Sequence, residues 1–129
     1  VATARVYLRP AARRDRDDFE FVTETKSFGH IDIAFETSEC GVYRERIFPH
    51  TVLPTHVHHH LDESELVLGD GLLLQGEPVA AGTAHTWPRG FPHRYENPTD
   101  IEQSFLCIDR PKFIPTDEVE VDTPVSALR

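Results

Sequence analysis

Short segments that alternate polar with apolar residues run along most of this chain, and that period of two constrains its fold more than any other feature. Residues 30–36 read His-Ile-Asp-Ile-Ala-Phe-Glu, which puts both isoleucines and the phenylalanine on one face of an extended segment. Similar runs cover 5–9, 41–48, 51–58, 65–68, 72–75, 78–87, 93–96 and 103–108. Strands this short, separated by turn residues, predict an all-β sandwich or barrel. The ten prolines and seven glycines supply the punctuation. Gly69-Asp70-Gly71 predicts a tight hairpin turn and residues 75–78 the next one. The best helical candidate is residues 11–19, and its stripe is weak. The tail from Pro111, with four acidic residues between Asp117 and Asp122, reads as loosely packed outer chain.

With 129 residues there is room for one domain with a core and not for two, so residues 1–129 are expected to form a single unit. The net charge of −9 disfavours nucleic acid, which needs a clustered basic face. Five arginines do fall between Arg5 and Arg16, but Asp15, Asp17 and Asp18 break them up. No apolar run approaches the roughly 20 residues that span a bilayer. The first ten residues lack a signal-peptide core, so the expectation is a cytoplasmic protein with no membrane partner. Two cysteines, Cys40 and Cys107, exclude a disulfide scaffold. Cys107 sits in an apolar run, where a thiol behaves as a small hydrophobe.

Eight histidines are many for this length, and four lie between His56 and His60. His56 and His58 are two apart, so on a strand both imidazoles aim at one centre. Imidazole suits iron, nickel, zinc and copper, and a nearby carboxylate compensates charge. His59 and His60 follow in what reads as a solvated loop. Glu63 comes next, and Asp62 lies within reach by spacing. Downstream stand Gly82, Pro88, Gly90, His93 and Asn97.

These residues resemble the two motifs of the cupin superfamily. The second, G-x5-P-x-G-x2-H-x3-N, is matched at every fixed position by Gly82, Pro88, Gly90, His93 and Asn97. The first, G-x5-H-x-H-x3or4-E-x6-G, is matched at His56, His58 and Glu63. His50 stands in its opening glycine slot and Asp70, flanked by glycines, in its closing one. Together the motifs cover residues 51–97, with the flanking strands and tail packed outside. The resemblance implies a single-domain jelly-roll barrel holding one divalent transition-metal ion (iron, manganese, nickel, zinc or copper) through His56, His58, Glu63 and His93. Such a set leaves coordination positions open, as catalytic sites do.

Strand parity then turns Glu65 inward beside Glu63, as a general acid or base or an anchor for a ligand imidazole. A bulge that sends Glu65 to solvent is the alternative. Tyr95, two past His93, faces inward as a donor or as core. His85 shares a face with Trp87 and is a further polar candidate. For Tyr43, Glu45 and Ile47 against Val42, Arg44 and Arg46, alternation does not say which set faces in; inward arginines would imply an anionic substrate. The resemblance favours an oxygenase acting on a small enolic or aromatic molecule. Non-redox isomerase, lyase or polyketide-cyclase chemistry and a non-catalytic ligand-binding module are the alternatives. A homodimer is expected, with an edge strand near residues 6–8 as its means.

Overall fold

The computed structural model describes residues 22–122 throughout, together with the backbone of residues 5–6, 9–10 and 19–20. The strands in chain order are β1 Arg5–Val6, β2 Arg9–Pro10, β3 Phe19–Glu20, β4 Val22–Lys26, β5 Gly29–Glu36, β6 Gly41–Ile47 and β7 Thr51–Val57. They continue as β8 Asp62–Val67, β9 Leu73–Leu74, β10 Glu77–Pro78, β11 Ala84–Trp87, β12 His93–Asn97, β13 Gln103–Arg110 and β14 Val119–Glu120, with a 3-10 turn at Pro115–Asp117. One antiparallel sheet runs β1-β5-β6-β13-β8-β11, with β4 also on β5, and a second runs β10-β9-β12-β7-β14. Their inner faces meet in a core of Ile33, Tyr43, Ile47, Leu53, Val67, Leu72, Tyr95 and Phe105. The all-β architecture is therefore as the alternation implies, and the two-sheet jelly roll is as the resemblance implies. Among the described residues no helix is long and apolar enough to cross a membrane.

Several local expectations need correction. The Gly69-Asp70-Gly71 turn is not a hairpin: β8 pairs with β11 and β13, whereas β9 pairs with β10 and β12, so this turn carries the chain from one sheet to the other. The tight hairpin is the following turn, where Gln75 and Gly76 both take positive φ between β9 and β10. The run at 78–87 is interrupted and is extended only at its two ends, and β8 begins three residues before the run at 65–68. Strand β4, whose side chains are mostly exposed, carried no alternation to betray it. Of the helical candidate at 11–19, residues 11–18 lie outside the described ones and Phe19 is extended. The described part of the tail, residues 111–122, is not loose: β14 pairs with β7, placing Val119 against Val57 and Glu120 against His56.

Pro54 explains how the second sheet presents its histidines. Between the pairs His93–His56 and Tyr95–Leu53 strand β7 holds one extra residue, a bulge around Pro54 and Thr55. A proline cannot donate to a ladder and sits well at a bulge. The bulge changes the parity, so Leu53 enters the core below it and His56 and His58 point inward above it.

Candidate metal centre

Strand β7 delivers His56 and the residue after its end delivers His58, β8 delivers Glu63, and β12 delivers His93 from across the barrel. All four are buried, and one donor atom from each lies within 4.8 Å of the others. His93 Nε2 is 2.8 Å from Glu63 Oε1, and His58 Nε2 is 3.4 Å from Glu63 Oε2. His56 Nδ1 lies 2.8 Å from the Pro54 carbonyl and His93 Nδ1 3.1 Å from that of Phe91. A carbonyl can only accept, so both Nδ1 atoms carry hydrogen and both Nε2 lone pairs face the centre, as in metal-bound histidines.

The electrostatics fit a cation. Burial, with the neighbouring imidazoles, lowers the pKa of His56 and holds that of His58 at about 4; burial likewise lowers that of His93. Lowered pKa values keep the three rings neutral at physiological pH, the form in which imidazole can bind a metal. Burial, then Glu65 and Asp109, raises the pKa of Glu63 well above the ordinary value. A carboxylate placed so wants a positive charge beside it. The two acidic neighbours differ in direction: Asp62 turns outward to Arg89, with Oδ1 at 2.9 Å from Nε, and Glu63 turns in beside the three imidazoles.

Behind His93 lies a second polar cluster. Glu65 Oε1 accepts from Trp87 Nε1–H and from the Tyr95 hydroxyl at 3.1 Å, and lies 2.9 Å from His85 Nε2. Burial alone would raise the Glu65 pKa, but His85, His93 and Trp87 together lower it. Glu65 thus remains inside and ionised, not turned out by a bulge. Trp87 stacks on His93 with ring centroids 4.6 Å apart, so the cluster braces a ligand ring from behind. The open cavity, about 620 Å³, lies on the other side; His56, His58 and Glu63 line it, whereas Glu65, His85 and Tyr95 do not. Its remaining wall includes Ile31, Ile33, Tyr43, Glu45, Lys112 and Phe113. The set Tyr43, Glu45, Ile47 therefore faces in, and Arg44 and Arg46 face out onto Asp32.

The motif positions take their roles from the backbone. His50, in the glycine slot, has φ of 52°, and its exposed ring meets Asp100 at 2.6 Å. The slot requires a left-handed residue rather than glycine itself. Gly90 N–H donates to the His58 carbonyl at 2.7 Å, joining the two motifs at a ligand. Asn97 Nδ2 donates to the carbonyls of Ile47, Phe48 and Ile101 and so clamps the loops below the site. Sequence reasoning missed the tail's part. Asp117 accepts from the His59 and His60 amides at 2.9 and 2.8 Å, and Glu118 Oε1 comes within 4.0 Å of His56 Nε2.

The structure is similar to a sugar phosphate isomerase of the cupin superfamily from Silicibacter pomeroyi, at 31% identity and a TM-score of 0.51 over 57% of this chain. It is similar too to a cupin domain from Bordetella pertussis, at 24% identity and a TM-score of 0.52 over 62% of this chain and 90% of that one. This chain folds as a cupin. The capsular polysaccharide assembling protein CapF of Staphylococcus aureus shares that fold at a TM-score of 0.68 and 18% identity, over 81% of this chain and 33% of CapF. This chain spans 51% of the length of the isomerase. No protein-family model and no curated protein matches the sequence.

Proposed function

We propose that this cupin is a metal-dependent enzyme for a small polyhydroxy-carbonyl molecule, and that its chemistry is a proton transfer such as isomerisation. The observation that carries this is the convergence of His56, His58, Glu63 and His93 at one end of a cavity of small-molecule size, whose other polar lining is largely carboxylate. His56, His58, Glu63 and His93 would hold a divalent ion, which would supply Lewis acidity toward a substrate oxygen. His56 and His93, fixed by carbonyls, orient the donor set, and the Trp87 stack keeps His93 in place. Ile31, Ile33 and Phe113 exclude water from the substrate's apolar side, and Lys26 and Lys112 meet an anionic substituent. The likeness to a sugar phosphate isomerase supports a substrate of this class.

Oxygenation is the second reading, supported by the three-imidazole, one-carboxylate set, which leaves positions for both substrate and oxygen. Metal analysis of protein purified without added ions, followed by assays with hydroxy-carbonyl and enolic compounds, separates the two. Stoichiometric metal, carbon-bound hydrogen exchange in heavy water and no oxygen uptake support proton transfer. Substrate-linked oxygen uptake with bound iron replaces it by the second reading. Wild-type protein that holds no more metal than His93→Ala overturns both.

A further inference from the structure

Glu45 lies on β6 between Tyr43 and Ile47, whose side chains are buried, and shares their inward face. Its neighbours across the sheet are Ile31 on β5 and Phe105 on β13, a wall in which an apolar residue would pack without penalty. A carboxylate there is expensive unless something compensates it. Every other inward or buried carboxylate around it has a partner. Asp32 has Arg44 and Arg46, and Glu65 has His85, Trp87 and Tyr95. Glu63 has two ligand histidines, Asp109 the Cys107 thiol, and Asp117 two amides. Among the described residues no hydrogen bond or ion pair reaches Glu45, which instead opens onto the cavity.

Its position relative to the metal centre is close. A Glu45 oxygen, a Glu65 oxygen and Cys107 Sγ lie within 4.8 Å of one another, and Cys107 Sγ is 3.2 Å from Glu63 Oε2. Glu45 and His56, His58 and Glu63 line the same cavity, so a molecule held by oxygen at the four-residue centre and filling that cavity would meet Glu45.

We propose that Glu45 is the acid–base residue of this cavity and exchanges a proton with the bound substrate. This rests on the reading of the cavity as an active site. In the step assigned to it, the C–H bond beside the substrate carbonyl breaks, the proton passes to an ionised Glu45 oxygen, and the electron pair moves onto the carbonyl oxygen as an enediolate forms. Glu45 then returns the proton to the former carbonyl carbon, while the hydroxyl proton passes to the former carbonyl oxygen. Atoms and electrons balance, and no co-reactant is needed. Burial first, and then the charges of Glu63, Glu65, Glu118 and Asp109, raises the Glu45 pKa well above the ordinary value. That brings the protonated and ionised forms closer in population, as a group that both takes and returns a proton requires.

The test uses zinc-loaded full-length chain and acetohydroxamate, a bidentate oxygen ligand that loses a proton when it binds a metal. Calorimetry at pH 8 in buffers of different ionisation enthalpy counts the protons released. Wild type is expected to release about one proton fewer per ligand than Glu45→Gln, because Glu45 keeps it. Glu45→Ala, which leaves only added space, gives the same difference if the glutamine packs badly. Trp87 fluorescence during zinc titration, unchanged in both variants, establishes that the metal centre is intact. Equal proton release in wild type and variants overturns the role of Glu45 while leaving the metal site standing. Wild type that binds zinc but not acetohydroxamate, or that fails to bind zinc, overturns the active-site reading itself.

Discussion

Asp32 sits on the outer face of β5 with almost no exposure, held by Arg46, Arg44 and the Thr23 hydroxyl at 2.7 to 2.9 Å. Burial by itself would raise its pKa, but the hydrogen bonds from Arg46, Thr23 and Arg44 outweigh it and hold the carboxyl at about 2, below the ordinary 3.8. A carboxyl with a depressed folded pKa contributes stability above its unfolded value and loses it as pH falls toward the folded one. The contribution is about 2 kcal/mol at neutral pH. Asp32→Asn is expected to lose about that much at pH 7 in urea unfolding, and the deficit is expected to close as the pH approaches 2. A deficit equal at both ends would assign the loss to packing. None of this was legible in the sequence, because Tyr43, Glu45 and Ile47 and their alternates Val42, Arg44 and Arg46 each mix apolar with charged residues. The convergence of His56 and His58 was legible, since two imidazoles two apart on a strand share a face whatever surrounds them.

At the scale of elements, what could not be read was pairing with partners distant in sequence. The tail's acidic residues suggested solvent, yet one of them, Asp117, is buried and binds the two amides that follow ligand His58. Composition registers charge, not the orphan N–H groups that a loop leaves for a carboxylate to accept. Likewise the glycine pair around Asp70 suggested a hairpin because the sequence cannot say to which sheet the next strand belongs. The Pro54 bulge was also invisible, although the conclusion drawn from His56 and His58 survives it, since the parity change precedes both. The Asp117 clamp gives a prediction. Asp117→Ala removes the charged acceptor of two amides in a part-buried loop and is expected to destabilise the fold by about 1–2 kcal/mol. It is also expected to weaken zinc binding, measured by Trp87 fluorescence, because the loop no longer fixes His58. Unchanged zinc affinity in a destabilised variant would confine Asp117 to a structural role.

For the whole molecule, the outer face of the larger sheet carries Val42, Leu66, Leu106 and Ile108, with Ile108 opposite Val42 and Leu106 opposite Leu66 across β13. Ile108 is 40% exposed. We propose that two copies of this cupin meet on that face rather than by the edge near residues 6–8, of which 7–8 lie outside the described residues. Sedimentation is expected to give a dimer that Ile108→Arg converts to monomer; a wild-type monomer would end the proposal. The interior makes a second demand on the whole chain. Folding buries Glu63, Asp109 and their neighbours together, and the Asp109 pKa is pushed up to about 6, chiefly by burial. The raised pKa values of Glu63 and Asp109 mark carboxyls whose charge the buried site disfavours, and a bound cation would relieve that cost. An ion that binds the folded state alone stabilises it by RT ln(1 + [L]/Kd), about 2.7 kcal/mol at a hundred times Kd. For a domain of this size that is a rise in Tm on the order of 10 °C. Stripping the protein with a chelator is expected to lower Tm by that amount, zinc to restore it, and His93→Ala to make Tm indifferent to both. If the variant still responds to zinc as wild type does, the stabilising ion is not the one His93 holds, and the four-residue centre loses its thermodynamic support.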